Sequence, residues 1–526
     1  MTDDGRAGSA PTWPSPDGWG EIIRVTRPTD GSLVGELAVT SPHEVPRRVA
    51  RGRVVQEGWA SLTAGDRVRH LRGLLEALGG RAREIEETIV AETGKPRTEA
   101  LLEIVTVTDQ LRYYLKNASP FLKPRRVSTG WLVWKRAMMV REPLGVIGVI
   151  SPWNHPFVVS MTPVMTALFG GNAVVLKPSE HAPYTGLLAE DLARDAGLPD
   201  DLVQVVVGGA ATGEALVRGG VDKLFFTGGA GTAVSVLAAA AESLTPVALE
   251  LGGKDAAVVL EDADLERAAR GIVWGAFMNA GQTCVSVERA YVVEEVFDAF
   301  LREVLAQVRK LKAGSTPGLS MGPMTTTAQL TLVEEHLADA VSRGAVVVAG
   351  GGRTDPASNV LEPTVLTNLD PGSLVLTEET FGPILPLIPV KDSEEAVLLA
   401  NGGDFGLSAS VWTRDRSRGL DMARRIRAGS VCVNDALVHY AIPGLPFGGV
   451  GKSGYGRCKG LDGLAELTRT RSVVTDRLGL KREPWWFPYS RTSERLLRNV
   501  FLLRWKGVIR GLPRLAASFL KRAAGP

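Results

Sequence analysis

The sequence predicts an α/β protein with two doubly wound parallel-sheet domains and a small β hairpin leaving the body. Three observations carry this. Short runs rich in β-branched residues alternate with helix-like segments from residue 145 onward, the pattern of strands covered by helices on both faces. The series pauses at Gly252-Gly253 and a second one follows. Residues 125–142 alternate apolar with other residues around Ser128-Thr129-Gly130, as a hairpin does.

The elements follow in chain order. Residues 47–90 read as helix-rich, with Leu71, Leu74, Leu75 and Leu78 at helical spacing, and 101–114 as a further helix. The first α/β series has strands at 145–150, 173–176, 202–207 and 223–226, with helices at 160–169, 185–196 and 212–218. The second has strands at 256–260, 289–293, 346–348, 385–390 and 431–434, and helices at 265–279 and 295–310. Residues 143–176 hold no charged side chain, but prolines and glycines interrupt them, so they read as buried strands and a helix rather than a membrane span. Residues 1–20, rich in Asp, Gly, Pro and Ser, read as a disordered leader without the basic start and apolar run of a signal peptide. No repeat of 20 to 50 residues is visible.

Composition narrows the function. At 526 residues with 44% hydrophobic and 22% charged side chains, the chain is of multidomain, globular type. Its 3 cysteines, Cys284, Cys432 and Cys458, are too few and odd for a disulfide framework and fit a reducing, cytoplasmic setting. The 6 histidines are scattered and Cys-x-x-Cys is absent, so no metal site is expected. The net charge of +2 hides an asymmetry: residues 481–526 carry eleven Lys or Arg against two Glu, which leaves −7 on the rest. A basic tail on a mildly acidic body points to an anionic protein or membrane surface, with nothing that calls for nucleic acid.

Several segments carry chemistry. Cys284 closes Asn279-Ala280-Gly281-Gln282-Thr283-Cys284, a thiol among small and polar neighbours. Glu250 opens Glu250-Leu251-Gly252-Gly253-Lys254. A thiol needs a base or a lowered pKa before it attacks, so the pair points to covalent catalysis at a carbonyl. Ser151-Pro152-Trp153-Asn154 follows a strand end, where parallel sheets bind ligands, and Asn154 is either an oxyanion donor or a turn residue. Lys177, followed by Pro178, Ser179 and Glu180, is placed to meet ribose hydroxyls, or is a surface lysine beside a helix start. Phe226-Thr227-Gly228-Gly229 leads from strand to helix in the manner of a phosphate-binding turn, though not as Gly-x-Gly-x-x-Gly. Glu379 and Phe381 lie two apart, so an extended segment would turn both the same way. Residues 446–456 read as a glycine-dense loop.

Together, Pro-Trp-Asn, Lys-Pro-Ser-Glu, Phe-Thr-Gly, Glu-Leu-Gly-Gly-Lys, Gly-Gln-Thr-Cys, Glu-x-Phe-Gly-Pro and Pro-Phe-Gly-Gly, in this order from about residue 35 to about 474, resemble the aldehyde dehydrogenase superfamily. The resemblance implies a Rossmann-like NAD-binding domain (21–124 and 143–252), a catalytic domain (253–465), an oligomerisation element (125–142 and 466–480) and a separate basic tail (481–526). It implies Cys284 as nucleophile, Glu250 as general base, and Asn154 with the backbone N–H of Cys284 as oxyanion hole. Lys177 and Glu379 then match ribose contacts, Phe381 a nicotinamide contact, and Trp153 with Gly228-Gly229 the pyrophosphate region. The cofactor set extends to Ile150, Pro152, Ser179, Glu180, Gly209, Gly213, Phe226, Thr227, Thr232, Leu251 and Phe447. The implied cofactor is NAD, with NADP open, and the implied assembly a homodimer or homotetramer.

The chain departs from the family pattern where Gly229 and Ala233 replace a serine and a glycine, which bears on cofactor affinity rather than on the reaction. Residues 244–247 and 434–440 resemble the fatty and aromatic aldehyde branch, and residues 145–154 also resemble bacterial succinic semialdehyde dehydrogenases. Long-chain, aromatic and succinic semialdehydes all stay open as substrates, as do an esterase or acyl-transfer activity without redox and a non-catalytic member of the fold. In the tail, Leu497, Phe501, Trp505, Val508, Leu512, Leu515 and Phe519 recur every three or four residues among arginines and lysines, a stripe for a membrane surface or for packing on protein.

Overall fold

A computed structural model describes residues 21–314 and 318–505. The expected leader, and the tail stripe from Val508 onward, lie outside the described residues. The chain forms two compact units: Met1–Phe121 with Pro143–Arg469, and Leu122–Glu142 with Thr470–Pro526.

The helix-rich start of the first unit is three helices, Glu44–Ser61, Ala64–Leu71 and Gly73–Thr93, followed by Arg97–Leu122. Thr63 caps the second by accepting from the Asp66 N–H. Leu71, Leu74 and Leu78 are buried across the junction of the second and third, so the spacing persists although the helix is divided.

The first sheet runs in the order Gly454–Tyr455, Val247–Leu251, Lys223–Gly228, Val146–Ile150, Ala173–Lys177, Val203–Val205. The last five are parallel to one another and the first is antiparallel. Helices Pro156–Gly170, Pro183–Asp195, Ala210–Arg218 and Ala230–Ala241 are the crossovers. Pro156–Gly170 is buried along its whole length, which explains why residues 143–176 need no charge. No helix among the described residues is long and apolar enough to cross a membrane. The strand order reverses at Val146–Ile150, so a crevice opens beyond the carboxyl ends of that strand and its neighbours, where residues 151–154 begin.

The second sheet runs Val346–Ala349, Thr364–Thr367, Ile384–Val390, Val287–Val293, Asp255–Val259, Ser408–Trp412, Ser430–Val433, all parallel except the first. Val258, Leu260, Val390, Val411 and Met422 form part of its core.

The structure corrects the sequence reading in several places. Val247–Leu251, absent from the expected first series, is a strand inside the first sheet, between Gly454–Tyr455 and Lys223–Gly228. Ser408–Trp412 is also a central strand; its small polar residues hide it, and Ser410 Oγ accepts from the buried Trp412 indole at 3.1 Å. The helix expected over 265–279 stops at Phe277, because Asn279, Ala280 and Gly281 turn left-handed. The 446–456 loop contains the edge strand Gly454–Tyr455, so the end of the expected catalytic segment returns to the first sheet. Residues 379–381 are not extended: Phe381 has φ +52, so the period-two argument for Glu379 and Phe381 fails.

In the second unit the expected hairpin pairs Arg125–Val127 antiparallel with Lys135–Pro143, Arg125 opposite Met139, and Thr468–Asp476 adds a third strand. Trp131, Trp134 and Trp485 gather with ring centroids 5.6 to 6.1 Å apart. Buried Glu483 accepts from the Trp134 indole at 3.2 Å and pairs with Lys135. Helix Arg491–Trp505 buries Leu496 and Val500, whereas Leu497, Phe501 and Trp505 from the expected stripe lie exposed.

Candidate active site

Cys284 is delivered by a left-handed turn. Asn279, Ala280 and Gly281 have φ of 55, 56 and 73 degrees. At Gly281 an added Cβ would stand 2.1 Å from the Gly382 carbonyl oxygen, so only glycine fits. For Asn279 and Ala280 this conformation costs on the order of 1 kcal/mol each and needs support. Hydrogen bonds supply it. The Asn279 N–H donates to Glu99 Oε1 at 3.0 Å, and Asn279 Nδ2 donates to the carbonyls of Asn154 (2.8 Å) and Gln282 (3.0 Å). Gln282 Nε2 donates to the Asn279 carbonyl at 2.9 Å, and Gln282 Oε1 accepts from the Thr325 N–H at 2.9 Å.

This turn sets Cys284 Sγ 3.5 Å from Glu250 Oε1. Glu250 lies in the strand Val247–Leu251, directly opposite Thr227 of the next strand, and Thr227 Oγ1 donates to Glu250 Oε2 at 3.2 Å. The carboxyl is 3% exposed. Burial pushes its pKa up to about 7, against the pull of the Cys284 and Thr227 hydrogen bonds. Burial also drives the Cys284 thiol well above its usual value, with the nearby Glu250 charge adding to it. The resting pair is therefore a neutral thiol beside a carboxyl that ionises near neutrality, an acceptor placed for the thiol proton.

Asn154 is 4% exposed, and its Nδ2 donates to the Gln282 carbonyl at 3.0 Å. A primary amide has two N–H groups; one orients the side chain and the second is available to a ligand oxygen. The Asn154 carbonyl accepts from Lys95 Nζ at 2.7 Å as well as from Asn279.

The residues expected at the cofactor surround the crevice of the first sheet. Ile150, Pro152 and Trp153 lie partly exposed at its rim. Lys177 Nζ meets Glu180 Oε2 at 3.1 Å, and Ser179 Oγ accepts from the His181 N–H. Gly209 precedes helix Ala210–Arg218, and a Cβ on the buried Gly213 would reach Ile150 at 4.0 Å. Phe226 and Leu251 are buried. Gly228 has no room for a Cβ, which would stand 2.7 Å from the Phe226 ring. Gly229 precedes helix Ala230–Ala241 with no side-chain cap, in open space, and Thr232 is exposed in the first turn. A dinucleotide fits this set: uncapped amides at a helix N-terminus suit a pyrophosphate, and a Lys–Glu pair beside them suits ribose hydroxyls.

Across the crevice, Phe381 meets Trp153 edge to face, centroids 5.8 Å apart. The Glu379 carboxyl accepts from the Gly253 N–H at 3.0 Å, and a Cβ on Gly252 would stand 2.0 Å from its Oε2. Burial raises the Glu379 pKa, and neighbouring Glu288 raises it further. Phe447 does not fit its expected role: it is 1% exposed, stacked on His439 and edge-on to Tyr440, so it supports the site from within.

Sequence reasoning missed the groups that hold the 379–381 loop. Glu288, 3% exposed, pairs with buried Lys254 and accepts from the N–H groups of Thr380 and Phe381, each at 2.9 Å. Glu288 lies in a strand next to the cysteine segment; a lone carboxylate among Val287, Arg289 and Ala290 is the one signal that pointed to it.

The α/β fold, with its parallel sheets, is that of an oxidoreductase family. The sequence profile of the aldehyde dehydrogenase family matches residues 13–473, and the chain belongs to that family as an NAD(P)-dependent aldehyde dehydrogenase. It is 43% identical to 4,4′-diapolycopene aldehyde oxidase of Methylomonas sp, over 89% of this chain and 88% of that protein. It is 35% identical to a Mycobacterium tuberculosis protein named "Putative succinate-semialdehyde dehydrogenase", with NADP(+) in its name, over 90% of this chain and 93% of that one. Among solved structures, an NAD-dependent aldehyde dehydrogenase from Sinorhizobium meliloti is similar with a TM-score of 0.85 and 33% identity, over 89% and 93% of the two chains.

Proposed function

We propose that the chain oxidises a long apolar aldehyde to its acid through a thioester on Cys284. The observation that carries the chemistry is the 3.5 Å approach of Cys284 Sγ to Glu250 Oε1 at the foot of the crevice. The Cys284 proton passes to ionised Glu250 as sulfur bonds to the carbonyl carbon. The Asn154 amide and the Cys284 backbone N–H hold the resulting oxyanion. A nicotinamide, when bound, supplies the acceptor for the two electrons of the aldehyde C–H bond. Glu250 releases the thiol's proton to solvent and then takes a proton from water, whose oxygen attacks the thioester carbon; the carbon–sulfur bond breaks, the thiolate regains that proton from Glu250 and the acid leaves. Lys177 and Glu379 hold ribose hydroxyls, Gly229 and the start of helix Ala230–Ala241 take the pyrophosphate, and Phe381 and Trp153 close the nicotinamide side. Appearance of reduced nicotinamide on aldehyde addition tests the reaction. Ester hydrolysis without it would favour the acyl-transfer alternative.

The substrate class rests on the likeness to a protein named for a diapolycopene aldehyde. A panel of long-chain, aromatic and succinic semialdehydes decides it: the highest kcat/KM on the long-chain member supports the reading, and on succinic semialdehyde it refutes it. We assign homodimer or homotetramer assembly to the sheet containing Arg125–Val127 and Lys135–Pro143, to be checked by light scattering. The exposed Leu497, Phe501 and Trp505, beside Arg495, Arg498 and Arg504, suit an anionic membrane surface reached from the cytoplasm. Sedimentation with anionic vesicles that is equal for wild type and a Phe501→Ser, Trp505→Ser variant would rule that contact out.

A further inference from the structure

Beneath the cysteine loop lies a buried charged cluster that the reaction above does not use. Lys95, 2% exposed, follows the helix Gly73–Thr93, and its Nζ donates to Glu103 Oε1 at 2.7 Å and to the Asn154 carbonyl at 2.7 Å. Glu103, on helix Arg97–Leu122, spends its second oxygen on the N–H groups of Phe157 and Val158, 3.0 Å each. It therefore caps helix Pro156–Gly170 from outside. His155 stands at the N-cap position of that helix but makes no cap bond. Its ring instead spans the cluster: Nδ1 lies 3.4 Å from Lys95 Nζ and 3.7 Å from Glu103 Oε1, and Nε2 lies 3.1 Å from Thr283 Oγ1.

The tautomer follows from the neighbours. The Lys95 ammonium, which has only donors, lies within hydrogen-bond distance of Nδ1 at 3.4 Å, whereas Glu103 Oε1 at 3.7 Å lies beyond it, so Nδ1 accepts from Lys95. Burial and the Lys95 charge keep the ring neutral. Its one proton then sits on Nε2 and is donated to the Thr283 hydroxyl. Thr283 precedes Cys284, so its position sets the peptide that bears the Cys284 N–H.

We propose that His155 is a positioning residue for the oxyanion hole: it ties Thr283, and through it the Cys284 backbone N–H, to the same Lys95 that holds Asn154. Both donors of the hole are thereby registered against one buried ion pair. This rests on the roles given above to Cys284 and Asn154. The expense of burying Lys95 and Glu103 gains a rigid reference point, since a desolvated, fully bonded pair permits little movement.

The test uses the full-length enzyme. His155→Phe keeps the ring volume and loses the nitrogens. The expected result is a fall in kcat of about tenfold or more, with KM for NAD within about twofold and little change in Tm. His155→Gln, whose Nε2 reaches a similar place, should recover most of the rate. In a double-mutant cycle His155→Phe should add nothing to Thr283→Val. Wild-type kcat in His155→Phe, or multiplicative losses in the cycle, would overturn the assignment. If His155→Phe does not fold, Thr283→Val against Thr283→Ser decides: a slow valine and normal serine variant support it, and equal rates sink it. Turnover by Cys284→Ala would instead remove the nucleophile reading itself. An inert Cys284→Ala beside a wild-type His155→Phe removes only this inference.

Discussion

Cys284 Sγ and Glu250 Oε1 lie 3.5 Å apart although 34 residues separate them, because Glu250 stands near the carboxyl end of the strand Val247–Leu251 and the left-handed turn at residues 279–281 brings the thiol back to it. Removing the sulfur leaves the crevice intact. Cys284→Ala should lose turnover by about 10⁴-fold or more while NAD affinity, measured by fluorescence titration, stays within about twofold.

Glu250→Gln should lower kcat by about 10²- to 10³-fold. The wild-type rate should rise with pH through about 7 as the carboxyl ionises, and the variant should lack that limb. Stability changes the opposite way. The folded carboxyl titrates near 7 and the unfolded one at its ordinary 4.5, so wild-type stability falls as pH rises between those values and is level above them. The Gln variant escapes that loss, on the order of 1–3 kcal/mol, which denaturation curves at pH 5 and 8 would read.

Gly252→Ala places a methyl where the Glu379 carboxyl sits. The side chain must swing away and release the Gly253 N–H. With Glu379 on a ribose, KM for NAD should rise about tenfold while Tm falls by only a few degrees. An unchanged KM would remove Glu379 from the cofactor.

Glu288→Ala leaves Lys254 buried without its carboxylate and frees the N–H groups of Thr380 and Phe381. The expected loss is about 3–5 kcal/mol, seen as a large drop in Tm. Cofactor affinity should fall with it, since the loop that carries Glu379 and Phe381 loses its anchor.

Local chemistry made part of this legible in advance. Val146–Ile150 and residues 173–176 are short, apolar, β-branched runs that read as buried strands, and the thiol and carboxylate stand out in their segments. Glu250 as a strand residue was not legible, since a carboxylate inside a central strand runs against burial until Thr227 and Cys284 are seen beside it. Phe381 misled for a related reason: it has a positive φ, and the Glu288 carboxyl that accepts its N–H comes from a strand distant in the sequence.

Taken alone, the order of the motifs from Asn154 to Phe447 pointed to the family and, through that resemblance, to Cys284 and Glu250 as candidate nucleophile and base, while the alternation of strands and helices followed from residue type and neighbours in the chain. Tertiary structure decided what each group rests on. Lys95, Glu103 and His155 carry no signal of function as isolated residues; they become a support for Cys284 only because helix Arg97–Leu122, the start of helix Pro156–Gly170 and the cysteine loop converge. Burial there removes water as a competing partner, and only the folded chain brings those distant polar groups within bonding distance.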